Sequence, residues 1–110
     1  YINMNEKILN GFKKLINSDV IKRVYPMVDH IDITNIEYVN SSSHPGYMIS
    51  FDIVVDSPEM THDNMFDFDF DPYYLVDHYL VNLSSYFGID IYMTTFSVHN
   101  LDGEYITSNS

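Results

Sequence analysis

Three aspartates at alternate positions, Asp67, Asp69 and Asp71 within DNMFDFDFDPYY (residues 63–74), have the spacing that comes closest to a chemical site. Alternating carboxylates supply the first three ligands of an EF-hand calcium loop. Counting from Asp67, however, the sixth position is Pro72 where the loop needs Gly, and the twelfth is His78 where it needs Glu. On an extended chain, same-side carboxylates also stand ~7 Å apart, too far to share one ion. The pattern fits better as an amphipathic docking strand. In that reading Phe66, Phe68 and Phe70 press inward on the sheet edge or on a neighbouring subunit, Asp67 and Asp69 face out, and Asp71 caps the helix that follows. No metal or other cofactor is expected.

Other chemistry is no better supported. His30, His44, His62, His78 and His99 are scattered, with no i, i+4 pair and no HExxH. His62 beside Asp63 is the pattern of a surface pair. The chain has no Cys, no GxSxG and no Gly-rich phosphate loop, so a nucleophile or phosphate cradle has no local signature and no enzyme is expected. Without Cys there is neither a disulfide framework nor a thiolate zinc site.

Charge is divided along the chain. Lys7, Lys13, Lys14, Lys22 and Arg23 all precede residue 24, whereas 14 of the 16 acidic residues follow it, giving a net charge of −11. Such a field repels nucleic acid and acidic membranes and favours basic partners, so direct nucleic-acid binding and membrane association are not expected. The chain lacks Ala, Gln and Trp and is rich in Ile, Asn, Tyr, Phe, Met and Asp, a bias that suits a source genome poor in G and C, bacterial or viral. No segment approaches the ~20 apolar residues needed to cross a bilayer, and no signal-peptide pattern opens the chain; an intracellular or virion location is the expectation.

The elements that must position these residues can be read from periodicity. Ile8, Leu9, Phe12, Leu15 and Ile16 form one helical stripe that Lys7, Lys13 and Lys14 avoid, with Asn3 or Asn5 as cap. Asn17, Ser18 and Asp19 break this helix or cap a short second one through Val24, and Pro26 ends the helical region. IDITNIEYVN predicts a strand with a bulge near Thr34 and Asn35, and YMISFDIVVD predicts a strand with Tyr47, Ile49, Phe51, Ile53 and Val55 on one face. The two should form an antiparallel hairpin across NSSSHPG. Asp71 as N-cap, Pro72 at the first helical position and Gly88 at the end bracket a helix with a stripe of Val76, Leu80, Leu83 and Phe87, widened by Leu75 and Tyr79. IDIYMTTFSVHN is apolar on both faces and predicts a central strand. LDGEYITSNS turns at Asp102 and Gly103 and is expected to fray.

The fold class expected is α+β: helix-strand-strand-helix-strand, with the helices packed on one face of a small antiparallel or mixed sheet. Residues 1–110 form one domain, with an acidic, Phe-rich insertion at 57–71 that the architecture does not demand.

A basic first helix and an acidic remainder give one subunit two complementary surfaces, which suits head-to-tail contacts that close into a ring. The residues expected at such an interface are Lys7, Lys13, Lys14, Lys22, Arg23, Phe66, Asp67, Phe68, Asp69 and Phe70. The order of an amphipathic helix, VIKRVYP, a hairpin, a helix and a last strand resembles small head-to-tail connector and tail-terminator proteins of tailed phages, with Arg23 to Pro26 as the local text. The acidic insertion departs from that pattern. The resemblance implies a non-enzymatic virion component forming a homo-oligomeric ring at the neck or tail, in contact with other virion proteins. The alternative is a small acidic inhibitor or nucleic-acid mimic of a basic partner such as a host nuclease, since aspartates ~7 Å apart on a strand match the spacing of phosphates.

Overall fold

The computed structural model describes residues 3–16, 23–40 and 45–109. Helix α1 (Met4–Ile16) leads to strands β1 (Val28–Val39) and β2 (Gly46–Val55). A 3-10 turn (Met65–Phe68), helix α2 (Pro72–Phe87) and strands β3 (Ile91–Asn100) and β4 (Tyr105–Ser108) follow. Among the described residues the sheet has four strands in the order β1-β2-β3-β4. It is mixed, because β1/β2 and β3/β4 are antiparallel while β2 and β3, joined through α2, are parallel. The fold is α+β in the expected element order, with the helices on one side of the sheet. Neither described helix is long and apolar enough to cross a membrane.

Local chemistry sets the helix ends. Asn3 Oδ1 accepts the Glu6 N–H at 2.9 Å, which caps α1. Asp71 Oδ1 accepts from the N–H groups of Tyr73 and Tyr74 at 3.0 and 3.4 Å, and Pro72 sits where no N–H is needed. Gly88 closes α2 at φ 65°, its N–H donating to the Ser84 carbonyl. Arg23 and Val24 are helical and the helix stops before Pro26, whereas Asn17, Ser18 and Asp19 lie outside the described residues.

The core fills the space between the helices and one face of the sheet. Alternation along β2 buries Ile49, Phe51, Ile53 and Val55. From α1 come Ile8 and Phe12, and from α2 Leu75, Val76, Tyr79 and Leu83. Phe12, Phe51 and Tyr79 meet with ring centroids 5.2–6.4 Å apart, so one aromatic cluster ties α1, α2 and β2 together. The β1 register shifts between Ile33 and Asn35, where a bulge was expected, and again between Val28 and His30.

Four expectations are corrected. Leu80 and Phe87 are only half-buried, because the bulkier Tyr79 ring takes the centre of the α2 stripe. Strand β3 is central, but over residues 96–99 it is apolar on one face alone. Ile91, Phe96 and Val98 are buried, while Ser97 and His99 are half-buried on the side that no helix covers. Residues 105–108 do not fray: after the turn at Asp102 and Gly103 they pair with β3 and bury Ile106 and Thr107. Finally, 66–70 is not a strand. Its backbone turns on itself, with Asp67 N–H donating to Asn64 O at 2.9 Å and Asp69 N–H to Phe66 O at 3.0 Å. Met65 and Phe70 are both buried in the core, and the hydrogen bonds within the turn take up N–H groups that a strand would offer to a neighbour.

Candidate functional site

The segment from Ser57 to Asp71 is built into the core. Met60, Met65 and Phe70 belong to the hydrophobic cluster, and the Phe70 ring meets Tyr25 edge-on at 5.4 Å. Asn64 organises the tip: its Oδ1 accepts the Thr61 N–H at 2.6 Å and its Nδ2 donates to Glu59 O at 2.8 Å. Buried Asn100 holds the base, its Oδ1 accepting the Ser57 N–H at 3.1 Å and its Nδ2 donating to Ser57 O. His62 Nδ1 reaches Thr107 Oγ1 at 2.9 Å and ties the loop to β4.

This anchored loop presents one large apolar side chain to water. Phe66 is 62% exposed and is followed by exposed Asp67 and exposed Asp69, the latter left-handed at φ 56°. Phe68 is half-buried against the core and Phe70 fully buried. The three Phe rings expected to act together therefore divide: Phe70 and Phe68 anchor, and Phe66 projects. Asp71 is engaged as the α2 cap.

Tyr73 and Tyr74, both largely exposed, continue this aromatic surface along the first turn of α2. Tyr73 stands edge-on to Phe96 at 5.0 Å. Burial, with the Asp71 carboxylate second, raises the pKa of the neighbouring Tyr25 hydroxyl above its ordinary value.

The basic residues lie elsewhere. Lys7, Lys13 and Lys14 are exposed on α1, with Lys7 and Lys14 two turns apart on one side, and Arg23 is exposed before Pro26. Lys22 lies outside the described residues. Among the described residues no Lys or Arg contacts a carboxylate; the ion pairs there all join His to Asp, in His30 with Asp29 and Asp32, and His99 with Asp52. The described lysines of α1 thus stand beyond ion-pair distance of every described carboxylate.

Sequence reasoning missed two features. On the open face of the sheet, Asp52 Oδ1 accepts from Ser97 Oγ at 3.1 Å and lies 3.1 Å from His99 Nδ1, with the Tyr105 ring beside His99. Ser97 donates to the carboxylate rather than to the imidazole, so this is a cross-strand polar network and not a Ser-His-Asp relay. Among the described residues no group of three His, Asp or Glu could hold a metal ion. The second feature is a groove between α1 and α2, lined by Gly11, Lys14, Asn82, Leu83 and Tyr86. A Cβ at Gly11 would stand 3.1 Å from the Phe87 ring and 3.2 Å from Leu83 Cδ2. The signal for it was Gly11 itself, a helix-interior glycine that costs about 1 kcal/mol against Ala unless a close approach requires it. No family model, curated protein or solved structure matches the chain.

Proposed function

We propose that the protein is a non-enzymatic assembly subunit that associates head to tail with copies of itself into a ring. Its place in this reading is the neck or tail of a virion, as the resemblance to phage connector and tail-terminator proteins implies, with other virion proteins as further partners. The observation that supports it is the separation of unpaired charge: exposed lysines on α1, and an acidic loop with a solvent-facing Phe66, none of them engaged with the opposite sign among the described residues. A subunit with a basic and an acidic surface attracts the unlike surface of the next copy, and such heterologous contacts generate a ring when the rotation closes.

The acidic-mimic alternative loses its geometric basis. Asp67 lies in a 3-10 turn and Asp71 caps a helix, so the carboxylates do not repeat along an extended chain.

Light scattering of the purified chain tests the reading, with negative-stain microscopy for the shape. A discrete oligomer is expected at about 0.05 M salt, weakening toward about 0.5 M as the charges are screened. The double variant Lys13→Glu, Lys14→Glu is expected to shift it to monomer without unfolding it. A wild-type chain that stays monomeric at every salt and protein concentration would contradict the proposal.

A further inference from the structure

We infer that the ring contact is a knob in a socket: Phe66 of one copy enters the groove between α1 and α2 of the next. The inference rests on the head-to-tail reading above and names its contact residues.

Size is the first argument. The groove has a volume of about 200 Å³. An apolar cavity of about 150 Å³ is enough for a benzene ring. Leu83 supplies apolar lining, the Tyr86 ring stands at 71% exposure as an uncovered wall, and Gly11 adds no side chain. A phenyl ring is the side chain this space suits.

Rigidity is the second. Phe66 projects from a turn held on one side by buried Met65 and on the other by buried Phe70, with the Asn64, Asn100 and His62 hydrogen bonds beneath it. A large aromatic side chain with two torsions, carried on an ordered loop, leaves little loop freedom to lose on binding. That is the character of an interface hot spot.

Charge and direction complete the case. Exposed Asp67 and Asp69 follow the knob in the same turn, while Lys14 lines the socket with Lys7 two turns away on the same side of α1. Docking the ring therefore brings carboxylates to ammonium groups that no carboxylate engages among the described residues. The knob precedes the N-terminus of α2 at Pro72, and the socket lies beside Asn82–Tyr86 near its other end. At 1.5 Å per residue these sites are roughly 15–20 Å apart along one helix, so each copy offers a knob at one end and a socket toward the other. Separate knob and socket let each copy grip a different neighbour, the heterologous arrangement that the ring reading requires.

The test uses two variants, alone and mixed. Phe66→Ala removes the knob, and Asn82→Trp fills the socket from an exposed helix position; circular dichroism and Tm verify that both remain folded. Each alone is expected to lose self-association roughly 30-fold or more. Mixed in equal amounts they should form a 1:1 heterodimer and nothing larger, because one copy still has a socket and the other still has Phe66. A wild-type oligomer that Phe66→Ala leaves unchanged overturns the knob while leaving the assembly reading standing. Variants that are monomeric alone and remain monomeric when mixed overturn the pairing of knob with socket. A monomeric wild type overturns the assembly reading and this inference together.

Discussion

Residues 49–53 and 66–71 both alternate apolar and polar side chains, yet the first lie in strand β2 and the second begin in the 3-10 turn that a left-handed Asp69 closes. The difference lies in what each backbone can bond to. β2 has β1 on one side and β3 on the other, so every second side chain is driven onto the helix-covered face. Residues 66–71 run directly into Pro72 and the α2 cap, and their N–H groups bond back to Asn64, Met65 and Phe66. Asp is also a poor strand former. Side-chain alternation specifies a strand only where a neighbouring strand is present to receive the main chain.

Substitutions can break that comparison at both ends. Phe70→Ala and Phe51→Ala should each cost about 3–5 kcal/mol, because both rings are fully buried; Phe66→Ala should change stability by less than about 0.5 kcal/mol. Urea unfolding of the three variants checks this, and a Phe70→Ala loss near that of Phe66→Ala would remove the turn from the core. The next effect concerns Tyr79, which stacks on Phe51 and whose hydroxyl burial pushes up to about 12. The unfolded chain releases this proton near pH 10 while the folded chain keeps it. Stability should therefore fall as pH rises from about 10 toward 12, by about 2–3 kcal/mol. Tyr79→Phe should abolish that part of the alkaline loss. It should also raise stability by about 1 kcal/mol at neutral pH, since the buried hydroxyl has no partner among the described residues.

Smaller effects probe the turn itself. Asp69→Val places a β-branched residue at φ 56° and is expected to cost about 1–2 kcal/mol in Tm-derived stability, whereas a residue in an ordinary strand would tolerate Val. Asp71→Ala should cost about 1 kcal/mol by leaving the Tyr73 and Tyr74 N–H groups uncapped, measured by thermal unfolding.

What the sequence made legible follows the same division. Asp71, Pro72 and Gly88 bracket α2 through contacts within a few residues, and the phase change from Ile31 and Ile33 to Ile36 marks a bulge in one strand. Both are local chemistry. The turn at 65–68 depends on the seats of Met65 and Phe70 in a core assembled from distant elements, and β4 is four residues long and exists by pairing with β3. Neither leaves a periodic trace. Of the residues proposed for the interface, the exposed lysines of α1 were legible because they avoid its apolar stripe. The socket was not, since Gly11 meets Leu83 and Phe87 only once α1 and α2 have packed.

The bonds beneath Phe66 also set a schedule for the growing polypeptide. Ser57 is held by Asn100, 43 residues later, and His62 by Thr107, 45 residues later. The loop is thus translated well before its clamps, and it cannot take its fixed shape until β3 and β4 have joined the sheet. Neighbouring chains on one messenger are crowded together while still incomplete. In the assembly proposed above, a projecting Phe that is seated only after those contacts form would leave nascent copies without a finished docking surface.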